Sequence, residues 1–435
     1  MSNATNNGYR VGAQSEWFDK LPDGKDLDAM VLRVRKIIEP WLTAVFQAEH
    51  LNLLLGSGFT TAIGYLCDAT ATGMGTRPLG TRFDEKIDSF AASGAAKMGR
   101  GAPNIEDQFR TAFALLEGLN IGGKFEDINS LKTALDSRMS EFLSSLFSTE
   151  RGIASSEETK WRGAVTALQS FLLSFASRAA SRERLHIFTT NYDRLIEYGC
   201  DLAGIRVIDR FVGALEPAFR SSRLDCDYHY NPPGIRGEPR FMEGVIRLTK
   251  LHGSLDWAMD NRTGNIVRRG IPFGPADHSP YIPNSPVDTV MIYPNATKDV
   301  ETTAYPYAEL FRDMAAALCR PNSVLVLYGY GFGDDHLNRV LLDMLVIPST
   351  HIVVISYSMD ARLTAFLHRA GREAQITLLI GPHFADLTKL TEEYLPKPAI
   401  DHISSRMSEL LRNRSYSRAD ESPVTREESL TEGEA

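Results

Sequence analysis

Cysteine is scarce in this chain: Cys67, Cys200, Cys226 and Cys319 are the four in 435 residues, and no two of them stand close together. A structural zinc site needs thiolates or Cys/His pairs at short spacing, so no zinc is expected. Scattered reduced thiols fit a core in the cytoplasm. No apolar run approaches the ~20 residues that cross a bilayer, and the N-terminus lacks a charged-then-apolar leader pattern. Membrane association is therefore not expected. Excess positive charge is missing too, since the net charge is −8. Phosphate neutralisation on nucleic acid needs clustered Lys and Arg, so direct nucleic-acid binding is not expected, and Arg268-Arg269 reads as solvated surface.

What is present is ordinary globular material, 43% apolar and 23% charged, enough to bury a sizeable core. Residues 1–25 are polar, with Gly and Asn, and read as a flexible N-terminus. Helical spacing follows from Leu27 to Glu49, then a short buried strand at Leu51–Leu55. From Asp68 to Arg184 the apolar repeats fall at three and four residues and no strand is evident. This reads as a helical insertion at about 68–184, with a mobile loop around Gly94–Pro103.

Strands and helices alternate afterwards. Strands are expected at Leu185–Thr189, Arg206–Asp209, Val245–Leu251, Thr289–Tyr293, Ser323–Tyr328, His351–Ser356 and Ile376–Ile380. Helices are expected at Tyr192–Ala203, Tyr305–Cys319, Asp334–Leu345 and Arg362–Ala370. Such alternation predicts βαβ units and a parallel sheet covered on both faces, an α/β fold of Rossmann-like type. Pro217–Glu243 and Arg262–Pro286 are long Pro/Gly-rich connections of the kind that form lids or partner surfaces. Residues 413–435 lack apolar periodicity and read as a disordered tail. One domain over 26–412 accounts for the rest.

Three polar signatures close buried strands. Leu53-Leu54-Leu55-Gly56-Ser57-Gly58 opens a helix, as a phosphate-binding turn does, although a strand-to-helix packing turn has the same pattern. It has no Walker lysine, which disfavours a nucleoside triphosphatase. Asn191 and Asp193 follow the strand at 185–189, and Asn191 is also placed to cap the helix beyond it. His252 follows the strand at 245–251, where a hydrogen-bonded structural histidine is the simpler alternative. All three fall at carboxyl ends of strands, the edge where open α/β sheets bind ligands.

Gly56-Ser57-Gly58, Thr189-Thr190-Asn191-Tyr192-Asp193 and Lys250-Leu251-His252-Gly253-Ser254 occur in the order found in sirtuin-like NAD-consuming proteins, and the chain resembles that family across roughly residues 50–380. Val324 to His336, containing Gly329-Tyr330-Gly331-Phe332-Gly333-Asp334, looks like the later NAD-binding loop of its bacterial branch, and Asn104-Ile105-Glu106-Asp107 is similar to a segment of that branch. The resemblance implies NAD as substrate. It implies that Gly56, Ser57 and Gly58 hold the diphosphate, and that Asn191 and Asp193 orient the nicotinamide ribose and carboxamide. His252 would be the general base, and Gly329 and Gly331 would underlie the adenosine half, with Ser356 close by. Phe59, Thr190, Ser254, Tyr330 and Asp334, within the same motifs, complete the expected NAD-contacting set. Two departures bear on the reaction. Protein-deacylating sirtuins carry four zinc-binding cysteines after the histidine, whereas Gly253 to Tyr293 contains none. Their Gly-Ile-Pro-Asp-Phe-Arg stretch is replaced here by Ile63-Gly64-Tyr65-Leu66.

The expectation is therefore an NAD glycohydrolase and not a protein deacylase or ADP-ribosyltransferase; a sensor that holds NAD or ADP-ribose without cleaving it is the other alternative. An unrestrained NADase would kill its own cell, so restraint by a homo-oligomer, a lid or a partner is expected. The resemblance to effectors of bacterial antiphage systems implies a HerA-type hexameric DNA-translocating ATPase as the partner, ahead of a short Argonaute.

Overall fold

The computed structural model describes residues 7–71, 73, 75–97, 102–179, 181–221, 226–230, 240–260, 262–276, 289–291 and 306–397. The tail expected at 413–435 lies outside them, as do parts of both long connections.

Sixteen strands run in chain order among these residues: β1 (Asn7–Val11), β2 (Gln14–Phe18), β3 (His50–Leu55), β4 (Leu185–Thr189), β5 (Arg206–Ile208), β6 (Phe211–Val212), β7 (Ala218–Phe219), β8 (His229–Tyr230), β9 (Arg240–Phe241), β10 (Val245–Lys250), β11 (Gly253–Asp260), β12 (Asn265–Arg268), β13 (Thr289–Met291), β14 (Ser323–Tyr328), β15 (His351–Ser356) and β16 (Ile376–Ile380). Nine form one sheet in the order β2-β1-β16-β15-β14-β3-β4-β10-β5. From β16 to β5 every pairing is parallel. The fold is thus α/β with a mostly parallel central sheet, as the alternation predicts.

Burial on both faces follows from the two-residue period of a strand. Leu53, Leu55, Val324, Val326, Val353 and Ile355 enter one apolar cluster. Leu54, Leu325, Leu327, Ile352 and Val354 enter the other. The first face is covered by α1 (Lys25–Phe46), α2 (Ser57–Leu66), α6 (Glu158–Ala176) and α7 (Leu195–Ala203). The second is covered by α8 (Tyr307–Leu318), α9 (Asp335–Val346) and α10 (Ala361–Ala370). Between β3 and β14 the chain order reverses: β4 and β10 lie on one side, β15 and β16 on the other. A crevice opens at such a switch point, outside the carboxyl ends of the strands.

Several expectations are corrected. Within the N-terminus read as flexible, residues 7–18 form a hairpin that extends the sheet by two antiparallel strands. Its polar composition hides an alternation in which Tyr9 and Val11 are buried, and Gly12 turns the chain at φ 57°. Strand β13, expected in the parallel series, pairs antiparallel with β11 in a separate five-stranded sheet, β13-β11-β12-β7-β6. No strand was expected at β11. The helix expected from Tyr192 begins at Leu195. Helix α3 (Asp84–Lys97) continues through the start of the expected mobile loop.

The insertion between β3 and β4 is helical among its described residues: α3, α4 (Ile105–Ile121), α5 (Phe125–Ala154) and α6. Its own core, with Phe109, Leu135, Met139, Phe142 and Phe147, also takes in Tyr192, Leu255 and Ile271. A buried ion pair fixes the same junction. Arg194 donates from its backbone N and from Nε to Glu150 Oε1 at 2.9 and 3.2 Å, and from its guanidinium to the carbonyls of Ile271 and Pro272. Burial pushes the Glu150 carboxyl up, and Arg194 opposes that rise.

Removing one partner of a buried pair leaves an uncompensated charge and costs about 3–5 kcal/mol. Arg194→Met is expected to reduce the unfolding free energy by about that much in urea, and Arg194→Met with Glu150→Leu to recover part of the loss. An equal loss in both variants would show that the pair does not carry this junction.

Candidate active site

The crevice holds a cavity of about 400 Å³, within the size range of small-molecule sites. Its floor is the turn after β3. Gly56 caps α2 without a side chain, so the N-terminal end of that helix meets the cavity edge at Ser57, while the Gly58 and Phe59 N–H groups are taken by Gly329 O and Gly56 O. A Cβ on Gly56 would stand 2.4 Å from Gly329 O, which is why this turn needs glycine.

The loop after β4 forms one wall and is braced on all sides. Asn191 Nδ2 donates to Gly56 O at 2.9 Å and to Thr60 Oγ1 at 3.1 Å. Both amide hydrogens are therefore committed, and the side-chain carbonyl is what Asn191 offers to a ligand. Since α7 starts at Leu195, Asn191 is not its cap. Asp193 serves that end instead: its Oδ1 accepts from Leu195 N at 3.1 Å and its Oδ2 from Thr60 Oγ1 at 2.6 Å. Lys250, at the end of β10 and 3% exposed, reaches under the loop to Tyr192 O at 3.4 Å, to Asp193 O, and to Glu197 Oε1 at 3.1 Å. Burial pushes the Glu197 carboxyl up against the pull of Lys250, and the charge of Asp256 adds to the rise.

His252 follows Lys250 by two residues and is 5% exposed. Its Nε2 lies 3.1 Å from Asp334 Oδ2. Asp334 also caps α9, accepting from His336 N at 3.2 Å, so that helix fixes the carboxylate beside the imidazole. Tyr330 Oη donates to Asp334 O at 3.2 Å and steadies the same turn. A base with a carboxylate at its side is the arrangement that stabilises an imidazolium once a proton is taken.

Of the residues expected at the site, Gly56, Ser57, Thr190, Asn191, Asp193, His252, Tyr330, Gly331 and Asp334 line this one cavity. Gly58, Phe59, Ser254, Gly329 and Ser356 do not. Gly58 and Gly329 are pressed together, Gly329 at φ 64°, and a Cβ on either would lie 2.6 Å from the other's Cα. Phe59 is core, packed edge-on against Tyr328. Ser254 is fully buried with Oγ 3.4 Å from Tyr192 O, and Ser356 Oγ donates to Ser358 O at 3.1 Å. The motif residues split by stretch: Gly56 and Ser57 meet the cavity and Gly58 and Phe59 turn into packing, whereas Thr190 to Asp193 all line it.

Thr60, Thr149 and Arg362 also line the cavity and had not been singled out. Thr60 stands one helical turn after Gly56, a spacing that could have marked it. Thr149 arrives from α5 through tertiary packing alone. Asn104 lines the cavity as well, and its motif forms a reciprocal cap for α4, Asp107 N to Asn104 Oδ1 at 3.0 Å and Asn104 N to Asp107 Oδ2 at 3.1 Å. Among the described residues no cluster of three metal-capable side chains occurs, and no helix is long and apolar enough to cross a membrane.

Residues 185–375 match the model of the SIR2-like domain. That segment, which is similar to SIR2-like domains, carries Asn191, Asp193, His252, Gly331 and Asp334. Among solved structures, one described as a mutant of a Sir2 homologue in complex with ADP-ribose aligns at 11% identity and a TM-score of 0.37, covering 85% of this chain and 98% of that one. A comparison with curated proteins gives no match.

Thr60 Oγ1 serves Asn191 and Asp193 at once. Thr60→Val removes it while keeping the shape, and leaving buried polar groups unpaired costs about 1–3 kcal/mol. Urea unfolding of the variant is expected to show that loss; an unchanged midpoint would mean the loop does not depend on this hydroxyl.

Proposed function

We propose that the chain is an NAD glycohydrolase that cleaves the bond between nicotinamide and ribose. The observation that carries this reading is the convergence of Asn191, Asp193 and the His252–Asp334 pair on one glycine-floored cavity. The residues suit the substrate. A helix N-terminus and the Arg362 side chain favour a diphosphate at one part of the cavity. The Asn191 amide, held against the Gly56 turn, and the paired His252 line the same cavity.

In the reaction the C–N glycosidic bond breaks and its electron pair leaves with nicotinamide, which neutralises the ring's positive charge. The ribose carbon develops oxocarbenium character. The Asn191 carbonyl is a fixed dipole beside it, of the kind that stabilises developing positive charge without reorganisation. Water adds to that carbon, and its proton passes to His252, whose imidazolium is stabilised by Asp334. General-base action contributes about 10²–10⁴-fold. Asp193 acts by holding the loop, because both of its oxygens are engaged by Thr60 and Leu195.

The finer reading is NAD depletion in antiphage defence, in the cytoplasm, by a homo-oligomer that a HerA-type ATPase activates. The resemblance of the motifs supports it. The test is to incubate the purified chain with NAD, alone and with such an ATPase, and to separate the products by chromatography. Nicotinamide and ADP-ribose are expected, with His252→Ala about 10²–10⁴-fold slower and Asn191→Ala equally impaired, both folded by circular dichroism. Saturable NAD binding without products in either condition would identify a sensor and overturn the assignment. Undiminished cleavage in either variant would remove the residue roles.

A further inference from the structure

Behind the active-site loop lies a second cavity, of about 550 Å³, between α7, β5, β11 and the segment at 271–273. Residues 190–193 of that loop face the first cavity, and Arg194, Glu197 and Tyr198 face this one. Four carboxylates and three arginines line it. Glu197, Asp209 and Asp256 all line it, and the charge of Asp256 helps push both of the other carboxyls up, behind burial as the main cause.

Three of the cations nearby are already committed, and Arg206, which also lines the cavity, is exposed. Lys250 is held by Glu197 and the loop carbonyls, Arg268 by Asp209, and Arg194 by Glu150. Asp256 is left over. It is 7% exposed, its Oδ1 has no hydrogen-bond partner among the described residues, and Glu197 Oε2 has none either. Arg194 feels the Asp256 charge at longer range, but no described cation pairs with that carboxylate directly, and a carboxylate this buried is costly without a direct partner. Beside it Tyr198 and Phe273 stack at 4.1 Å with 3° between their planes, forming a flat aromatic ledge.

We propose that this cavity is a second ligand site, separate from the nucleotide cavity, that takes an organic cation bearing a guanidinium group, with Asp256 as counter-ion and the Tyr198–Phe273 pair as the stacking surface. A planar, weakly hydrated cation suits an aromatic ledge and paired carboxylate oxygens better than a compact ammonium does. A divalent metal fits less well, because the described carboxylates do not group into a three-ligand set. The site stands whether or not the front cavity cleaves NAD, and an occupant would rest against the elements that hold Asn191 and Asp193.

Methylguanidinium and its uncharged isostere N-methylurea form the test, each titrated against the full chain by saturation-transfer NMR. Saturable binding of methylguanidinium is expected, about tenfold or more weaker in Asp256→Asn. N-methylurea is expected to show none. Should Asp256→Asn fail to fold by circular dichroism, Tyr198→Ala, which removes a partly exposed ring of the ledge, is expected to weaken binding in the same direction. Absence of binding, equal binding of the two probes, or binding unchanged in the folded variant overturns the proposal.

Discussion

The backbone contact between the turns after β3 and β14 is the constraint on which the rest of the site depends. Gly56 N donates to Tyr328 O at 3.1 Å and Gly58 N to Gly329 O at 3.0 Å, continuing the β3–β14 register past the end of the sheet. No side chain fits between the two turns. The contact closes the bottom of the crevice and aims α2 and the Tyr330–Asp334 turn toward the same space. It therefore explains why glycines that do not line the cavity still stand in both motifs.

On this base, the loop of Asn191 and Asp193 is over-determined. Thr60 holds it from α2, Lys250 from beneath, and Arg194 with Glu150 from the helical insertion, while Tyr192 sinks into the insertion's core. Such a network is costly when partly satisfied and rigid when complete. The insertion is thus part of the site's framework, contributing Asn104, Leu146 and Thr149 to the cavity as well. A rigid loop suits chemistry in which fixed dipoles meet a charge as it develops.

The parallel sheet was legible in the sequence because buried strands such as Leu51–Leu55 and Val324–Tyr328 are near-continuous apolar runs bounded by glycine. Asn191, His252 and Gly56 were legible because each closes such a run. What escaped notice lies where local pattern and tertiary context part. The N-terminal hairpin gains its order from docking on β16, which a polar stretch does not announce. Strand β11 starts at a glycine and bears Asp256. Asp334 was expected on NAD, and its place beside His252 depends on how α9 approaches β10 across the sheet. Thr149 and Arg362 come from helices far away in sequence. Gly58 and Phe59 belong to the right motif but serve packing, a distinction that only the direction of each side chain supplies.

A crystal structure of the chain with ADP-ribose tests the central claim most directly. The account predicts the diphosphate over the Gly56 turn and the terminal ribose among Asn191, His252 and Asp334. ADP-ribose bound elsewhere, with that cavity left vacant under saturating ligand, would contradict it.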